Sequence, residues 1–192
     1  MRKFLNFEMK SVKSVAVIVL IIGFCLVLLP NTSRAEVGIG GKYIGEVPFL
    51  IGSLDFNQFG IEAGRGMRFI SIGNELISGR ASLTYYLVNG RYYFPTDSQL
   101  KPYMGGGVLG VDANYTATIG RYEATFSGSS DGYDIFAGVE LPLESYGFPV
   151  TVFGGIDYLN FEGITLECEG LGIVCPVSMG GTTFHIGAKY EF

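Results

Sequence analysis

The most regular pattern in the chain is an alternation of apolar and polar positions over residues 182–192. Apolar side chains occupy every second position, namely Phe184, Ile186, Ala188, Tyr190 and Phe192. Polar or small residues fill the positions between them, namely His185, Gly187, Lys189 and Glu191. A period of two puts successive side chains on opposite faces of a β-strand and gives no single apolar face on a helix. The pattern therefore predicts a strand.

The same alternation recurs upstream. Residues 132–141 and 149–159 each place apolar residues opposite Gly and acidic residues. For residues 101–115 we predict that the lipid-facing side is Tyr103, Leu109, Val111, Ala113 and Tyr115. Asp112 falls on the opposite, inward side of that predicted strand.

Each of these predicted strands has one apolar face, and no helical segment is available to cover it. The other face mixes glycine with charges, which fits a barrel with lipid outside and a polar interior. Lipid offers no hydrogen bonds to the backbone, so such a sheet must close without a free edge. The sequence therefore predicts an all-β, up-and-down antiparallel transmembrane β-barrel.

Chain length favours eight strands, with ten as the alternative, because a spanning strand needs about 10 residues. The predicted strands are 37–45, 49–56, 59–70, 80–94, 100–116, 122–142, 149–161 and 182–192. Short turns are predicted at 57–58, after Pro95 and around 144–147. Longer loops are predicted at 71–79, 119–121 and 162–181.

Residues 1–35 have the pattern of a cleaved secretory signal peptide, which leaves residues 36–192 as the barrel. Lys10 and Lys13 precede an apolar run from Val15 to Leu29, and small residues at 33 and 35 provide a cleavage site. An uncleaved anchor is the alternative, although the run is shorter than the ~20 residues of a spanning helix. Translation could start at Met1 or at Met9.

Two cysteines follow the leader, Cys168 and Cys175. In an exported chain this close pair predicts one local disulfide, worth about 2.5 kcal/mol in the loop-entropy description. Metal binding is the rival interpretation, but neither histidine nor further cysteine lies nearby in the sequence.

Charge and composition exclude several classes of function. The net charge is −5 and becomes −9 once residues 1–35, with five basic and one acidic side chain, are removed. Without a basic excess, nucleic-acid binding is not expected. The glycine-rich stretches at 38–41 and 105–107 open no helical pattern, so we expect no nucleotide and no other cofactor.

The alternation assigns ten charged residues to the lumen: Lys42, Glu62, Arg68, Arg91, Asp112, Asp134, Glu140, Asp157, Lys189 and Glu191. Both signs are present, and unpaired buried charges are costly, so we expect mutual ion pairs that plug the interior. A narrow cation-tolerant path is the alternative.

His185 is the only histidine in the chain. We predict that it faces inward near the outer end of the last strand and forms hydrogen bonds in the lumen. The alternative is catalysis with a serine such as Ser178, as in outer-membrane enzymes that modify lipid A. We expect no catalytic residue and no metal site.

The terminal segment from His185 to Phe192, with Gly187 and Tyr190, resembles the C-terminal signal that the barrel assembly machinery of Gram-negative bacteria reads. Residues 91–111, which begin with RYYFP, and residues 132–141 are similar to the small outer-membrane β-barrel family of OmpX, OmpW and the OmpA membrane domain. The chain has no Trp, so the interfacial aromatic residues would be Tyr43, Tyr92, Phe94, Tyr103, Tyr158 and Phe192.

The resemblance implies an outer-membrane location, with outer-membrane lipids, lipopolysaccharide and the assembly machinery as partners. It implies a non-enzymatic structural or surface-interaction role with loops outside the cell. The alternatives are a narrow channel for small solutes and a lipid A-modifying enzyme. Acidic residues near the loops, such as Asp131 and Glu162, could bind divalent cations that bridge lipopolysaccharide.

Overall fold

The computed structural model describes residues 35–73, 77–119, 122–161, 167–168 and 180–192. These form nine antiparallel strands and one 3-10 turn, Glu144–Tyr146. The strands are β1 Ala35–Ile44, β2 Val47–Phe56, β3 Phe59–Gly73, β4 Ile77–Tyr93, β5 Lys101–Ile119, β6 Tyr122–Pro142, β7 Val150–Phe161, β8 Glu167–Cys168 and β9 Gly180–Glu191. Among the described residues, no helix is long and apolar enough to cross a membrane.

Eight long strands close into a barrel. Each pairs with its neighbour in the order β5, β4, β3, β2, β1, β9, β7, β6, and β6 returns to pair with β5. The first and last strands meet in one seam, where Gly38 pairs with Glu191 and Ile44 with His185. The two-residue strand β8 pairs with β6 alone. The predicted eight-stranded barrel is confirmed, and where all eight strands are paired the sheet has no free edge.

The barrel has two different ends. At the terminal end, Ala35 and Phe192 lie beside the connections 57–58, 94–100 and 143–149. These contain tight turns, with Asn57 at φ 51° and Gly147 at φ 86°. At the opposite, loop end, β1 and β2 are joined by a short turn, whereas β3 to β6 are much longer.

The loop predicted at 71–79 was too long, because β3 continues to Gly73 and β4 begins at Ile77. Its polar composition resembles a loop, but residues 71–73 pair with residues 78–80 in an extended hairpin. Strands β5 and β6 form a second hairpin that ends at Ile119 and begins again at Tyr122, and the predicted loop at 119–121 otherwise lies outside the described residues. Strands β3 to β6 therefore form a wall that projects past the β1–β2 turn.

The outward face near the terminal end is apolar. On β7 and β9 the outward positions are exposed and mostly large and hydrophobic, for example Ile156 and Tyr158, and Phe184 and Ile186. Such a continuous apolar belt exceeds what a water-soluble surface normally exposes. It fits contact with lipid hydrocarbon.

The longer strands change polarity along their length. On β5 the outward residues Met104 and Val108 are followed by Asp112 and Asn114, all exposed. On β4 the outward residue Tyr86 is followed, toward the loop end, by Thr84 and Ser82. The apolar belt therefore ends partway along these strands, and the remainder presents a polar outer face.

The interior shows the opposite change. In the terminal half the inward side chains are mainly polar and charged. In the loop half, on β4, β5 and the end of β7, they are mainly apolar, and the buried residues there include Leu83, Tyr85, Leu87, Leu109, Val111, Ala113 and Phe161. The loop half is thus packed like a soluble protein, with apolar side chains inside.

This reversal corrects the prediction for β5. Tyr103, Leu109, Val111 and Ala113 point inward and are 1–6% exposed, so they do not face lipid. The prediction took the more apolar face of β5 as the lipid-facing one, but Met104 and Val108 on the other face lie in the apolar belt until β5 leaves it near residue 110. Beyond that point the apolar face of the strand is its inward face.

Candidate functional site

The terminal half of the interior gathers most of the predicted lumen charges. Seven of the ten are buried there, each at most 4% exposed: Lys42, Glu62, Arg91, Asp134, Glu140, Asp157 and Lys189. They come from six different strands, because inward positions of all neighbouring strands converge in a narrow barrel. The result is one connected polar cluster across the barrel.

Arg91 on β4 is the hub of this cluster. Its Nη1 lies 2.8 Å from Glu140 Oε1, and its Nη2 lies 3.5 Å from Glu62 Oε2 and 3.9 Å from Asp55 Oδ1. The guanidinium also lies 5.9 Å from the ring centres of Tyr93 and Tyr103. A planar guanidinium can serve several carboxylates at once, which a single ammonium does with less directional fit.

Lys189 on β9 forms the second centre. Its Nζ lies 2.7 Å from Asp55 Oδ2, 3.3 Å from Glu140 Oε2 and 3.1 Å from Glu191 Oε1. Asp55 and Glu140 thus contact both cations. These shared carboxylates tie β9 to β2 and β6, which are not its sheet neighbours.

Lys42 and Asp134 complete the cluster toward the middle of the barrel. Lys42 Nζ lies 3.2 Å from Glu62 Oε1 and 5.1 Å from the ring centre of Phe136. Asn89 Nδ2 donates to Asp134 Oδ2 at 3.1 Å. The described interior therefore holds five buried carboxylates, with Asp55 and Asp157 included, against three buried cations.

His185 lies in a hydrogen-bonded chain across the lumen. Its Nδ1 is 2.6 Å from Asp157 Oδ2, and its Nε2 is 2.6 Å from the Tyr103 hydroxyl. All three side chains are at most 3% exposed, and the rings of Phe136 and Phe153 lie 6.1 and 6.4 Å from the imidazole. If Nδ1 carries the proton that Asp157 accepts, Tyr103 donates to Nε2.

Glycines allow these large side chains to lie against the barrel wall. A Cβ at Gly187 would collide with the ring of Phe153, and one at Gly138 would lie 2.6 Å from the Tyr103 hydroxyl oxygen. Small inward residues opposite large ones are the means by which a narrow barrel is filled. The described interior is therefore occupied by side chains along both halves.

Three of the predicted lumen charges lie elsewhere. Asp112 is exposed on the outer face of β5, because β5 has left the apolar belt by that position. Arg68 lies at the loop-end rim, 37% exposed, and pairs with Glu46 of the β1–β2 turn. Glu191 lies at the terminal rim, where it bonds Lys189 and accepts a hydrogen bond from Thr151 at 2.8 Å.

Three polar residues that are buried in the cluster were not predicted from the sequence, namely Asp55, Asn89 and Tyr93. Asp55 shares its inward face with Phe49 and Ile51, so the pattern of β2 does not single that face out as polar. The sequence did contain an indication that Asp55 points inward. Leu50 and Leu54 make the opposite face of β2 equally apolar, so that face could be the one that contacts lipid.

The predicted assembly residues occupy both faces of β9. Tyr190 and Phe192 point outward, 44% and 76% exposed, with ring centres 5.0 Å apart. His185 and Gly187 point inward. The Phe192 amide donates to the Val37 carbonyl at 2.9 Å, so the last residue lies on the seam with β1.

Two further predictions fall outside the described residues. Apart from Ala35, the predicted signal peptide lies in the undescribed part of the chain, and the Cys168–Cys175 disulfide involves side chains outside the described part as well. Both stay predictions. Thiol titration of denatured, unreduced protein tests the disulfide, since a bonded pair gives no free thiol from these two cysteines.

Within the described ranges, no three His, Cys, Asp or Glu side chains form a group that could hold a metal ion. Ser178, the serine considered as a partner of His185, also lies outside the described residues.

A closed eight-stranded barrel with an apolar outer belt and an ion-paired interior defines the class: a small transmembrane β-barrel of the outer-membrane type. No protein-family model and no curated protein sequence matches the chain. Several solved structures match the chain in fold. A major outer-membrane protein of Thermus thermophilus superposes with a TM-score of 0.58 at 13% identity, over 84% of this chain and 100% of that one.

Neisserial surface protein A (NspA) superposes with a TM-score of 0.54 at 15% identity, over 82% of this chain and 94% of that one. At these identities the likeness concerns the fold. The predicted resemblance to bacterial outer-membrane barrels is confirmed at that level.

Proposed function

We propose that this chain is a non-enzymatic barrel of the bacterial outer membrane, with a closed interior and a surface-interaction role for its loop end. The observation that carries the proposal is the reversal of polarity along β4 and β5. It divides the barrel into a lipid-embedded terminal half and a loop half built for water. A wall of β3 to β6 that stands above the membrane is accessible to partners outside the cell.

The packed interior favours a closed barrel over the narrow-channel alternative. Ion pairs centred on Arg91 and Lys189 fill the terminal half, and apolar side chains such as Leu87 and Val111 fill the loop half. A hydrated ion would have to pass both layers. Water has little to bond in the apolar layer, and ions are costly there.

Conductance across planar bilayers tests this closed state. We expect the refolded protein to give no discrete conductance steps, measured beside a wide porin that shows the assay works. As an internal comparison, the double variant Leu87→Ser and Val111→Ser inserts hydroxyls into the apolar layer. Discrete steps from the unmodified protein would overturn the closed-barrel proposal and favour the channel.

The geometry around His185 favours a structural over a catalytic role. Its two ring nitrogens are occupied by Asp157 and Tyr103, and all three groups are buried in the interior. A lipid substrate would approach from the outer face, which His185 does not reach. Identical lipid A profiles from cells that express the wild type and His185→Ala are expected; a difference would favour the enzyme.

The assembly machinery stays a proposed partner, and β9 offers a matched pair of variants to test it. Phe192 and Phe184 both point outward and are 76% and 72% exposed, but only Phe192 belongs to the terminal signal. We expect Phe192→Ser to slow machinery-dependent insertion more than Phe184→Ser. Equal rates for the two variants would count against the signal.

A further inference from the structure

One charged side chain on the barrel wall does not follow the division into an apolar belt and a polar extension. Four charged residues of the described long strands are exposed on outward positions: Arg65, Arg80, Asp112 and Asp131. The last three lie on polar parts of β4, β5 and β6. Arg65 instead lies on β3 between outward Ala63 and Met67, with Phe69 beyond, so its backbone lies inside the apolar belt.

The guanidinium of Arg65 lies at the edge that the apolar belt has on β4, although Met67 and Phe69 continue the belt further along β3 itself. Arg65 pairs with Tyr86 across β3 and β4, and its Cζ lies 5.7 Å from the centre of the Tyr86 ring. Tyr86 is the last large apolar outward residue on β4 before Thr84 and Ser82. An arginine with an apolar stem in the belt and its charge at the boundary has the arrangement called snorkelling.

No protein group neutralises this charge within the described residues. Arg65 makes the ring contact with Tyr86 and no ion pair or hydrogen bond there. A cation beside hydrocarbon is costly unless an anion meets it. A guanidinium presents a planar fork of donors that fits the oxygens of a phosphate in a bidentate manner.

We propose that Arg65, with Tyr86 beside it, binds the phosphate of an outer-leaflet lipid. The inference rests on the proposed function, because that function places the loop end outside the cell and the belt in the outer membrane. The ligand follows from position: the belt edge is where lipid headgroups begin, and the guanidinium lies at that edge. The Tyr86 ring contacts the guanidinium, and no described protein group accepts its hydrogen bonds, so these donors are available to a phosphate.

Lipid retention by the full, refolded barrel tests the proposal. The protein is refolded into phosphatidylcholine nanodiscs that contain either lipid A or dephosphorylated lipid A, and the retained lipid is counted by native mass spectrometry. Wild type is expected to retain lipid A over its dephosphorylated form. Arg65→Gln is expected to lose about fivefold of that preference, the effect of one arginine near an anionic surface.

Two further variants sharpen the test. Arg65→Lys keeps the charge but loses the planar fork of donors, so it should keep only part of the preference. Arg80→Gln is the matched control, because Arg80 is also exposed and points outward. It lies on β4, six residues from Tyr86 and about 20 Å closer to the loop end. Arg80→Gln should leave the preference unchanged.

Several outcomes would overturn the lipid site. These are equal retention of both lipids by wild type, equal losses from Arg65→Gln and Arg80→Gln, or a dimer that only Arg65→Gln abolishes. A dimer of that kind would mean that Arg65 binds a second copy of the chain and not a lipid phosphate. A barrel that fails to enter bilayers, by contrast, would contradict the proposed function, and heat-modifiable gel migration reports that failure separately.

Discussion

The terminal half and the loop half of this barrel share strands β3 to β6 but follow opposite rules. In the terminal half, Ile135 and Val139 of β6 face outward and Glu140 faces inward. In the loop half of β5, Asp112 faces outward and Val111 faces inward. The solvent around each half dictates the difference, because hydrocarbon accepts apolar side chains and water accepts polar ones.

The comparison shows that a strand need not have one fixed apolar face. The apolar face switches sides where the strand crosses from lipid to water, while the alternation of side chains continues unbroken. The membrane boundary can therefore be located on strands that show this switch, such as β4 and β5, without reference to any bound lipid. On β5 it falls between Val108 and Asp112, and on β4 between Tyr86 and Thr84.

The largest effect should come from removing the hub of the polar interior. Arg91→Met leaves Glu140, Glu62 and Asp55 without a shared cation, and breaking such a buried pair costs about 3–5 kcal/mol. Urea unfolding in lipid vesicles measures this cost. Arg80→Met, on the outer face of the loop half, should change the unfolding free energy by less than about 0.5 kcal/mol. Similar losses of unfolding free energy for Arg91→Met and Arg80→Met would contradict the division into a terminal half and a loop half.

A charge placed on the outer face should separate the two halves directly. Ile135 is 54% exposed on the apolar belt, roughly midway between Asp131 and the end of β6 at Pro142. Ile135→Arg is expected to cost about 2–4 kcal/mol. Asn114→Arg, exposed on the polar extension of β5, should cost less than about 0.5 kcal/mol. Equal losses of unfolding free energy for Ile135→Arg and Asn114→Arg in the same vesicles would mean that the membrane boundary lies elsewhere.

The smallest of the three effects concerns a single hydrogen bond. Tyr103→Phe leaves His185 Nε2 unpaired in the interior, with an expected cost of about 1–3 kcal/mol. Tyr133 is the matched control, because its hydroxyl oxygen also takes part in a hydrogen bond, which it accepts from Asn160 Nδ2 at 2.8 Å, but Tyr133 is exposed on the outer face. Tyr133→Phe should be nearly neutral. A larger cost at Tyr133 would mean that burial does not set the value of these bonds.

The same division explains which parts of the structure the sequence could predict. Strands β7 and β9 lie almost wholly in the apolar belt, so their outward and inward residues follow directly from the alternation. Strand β5 crosses the boundary, and its two faces were predicted the wrong way round along the whole strand, Asp112 included. Pattern alone could not reveal this, because Leu109 and Val111 suit a dry interior as well as they suit lipid.

Contacts across the lumen were beyond prediction for a different reason. The alternation identifies the inward residues of each strand, but which of them meet depends on the stagger between strands. The shared use of Asp55 by Lys189 and Arg91, or the contact of His185 with Tyr103, requires the register of several strands at once.

The seam between β1 and β9 has a consequence for the order of biogenesis. Residue 38 finds its partner in residue 191, so the sheet keeps two open edges until nearly the entire polypeptide has been synthesised and delivered. Open strand edges invite pairing with other chains. A chain of this design must therefore be shielded in transit, and its insertion is completed by its last residues and not its first.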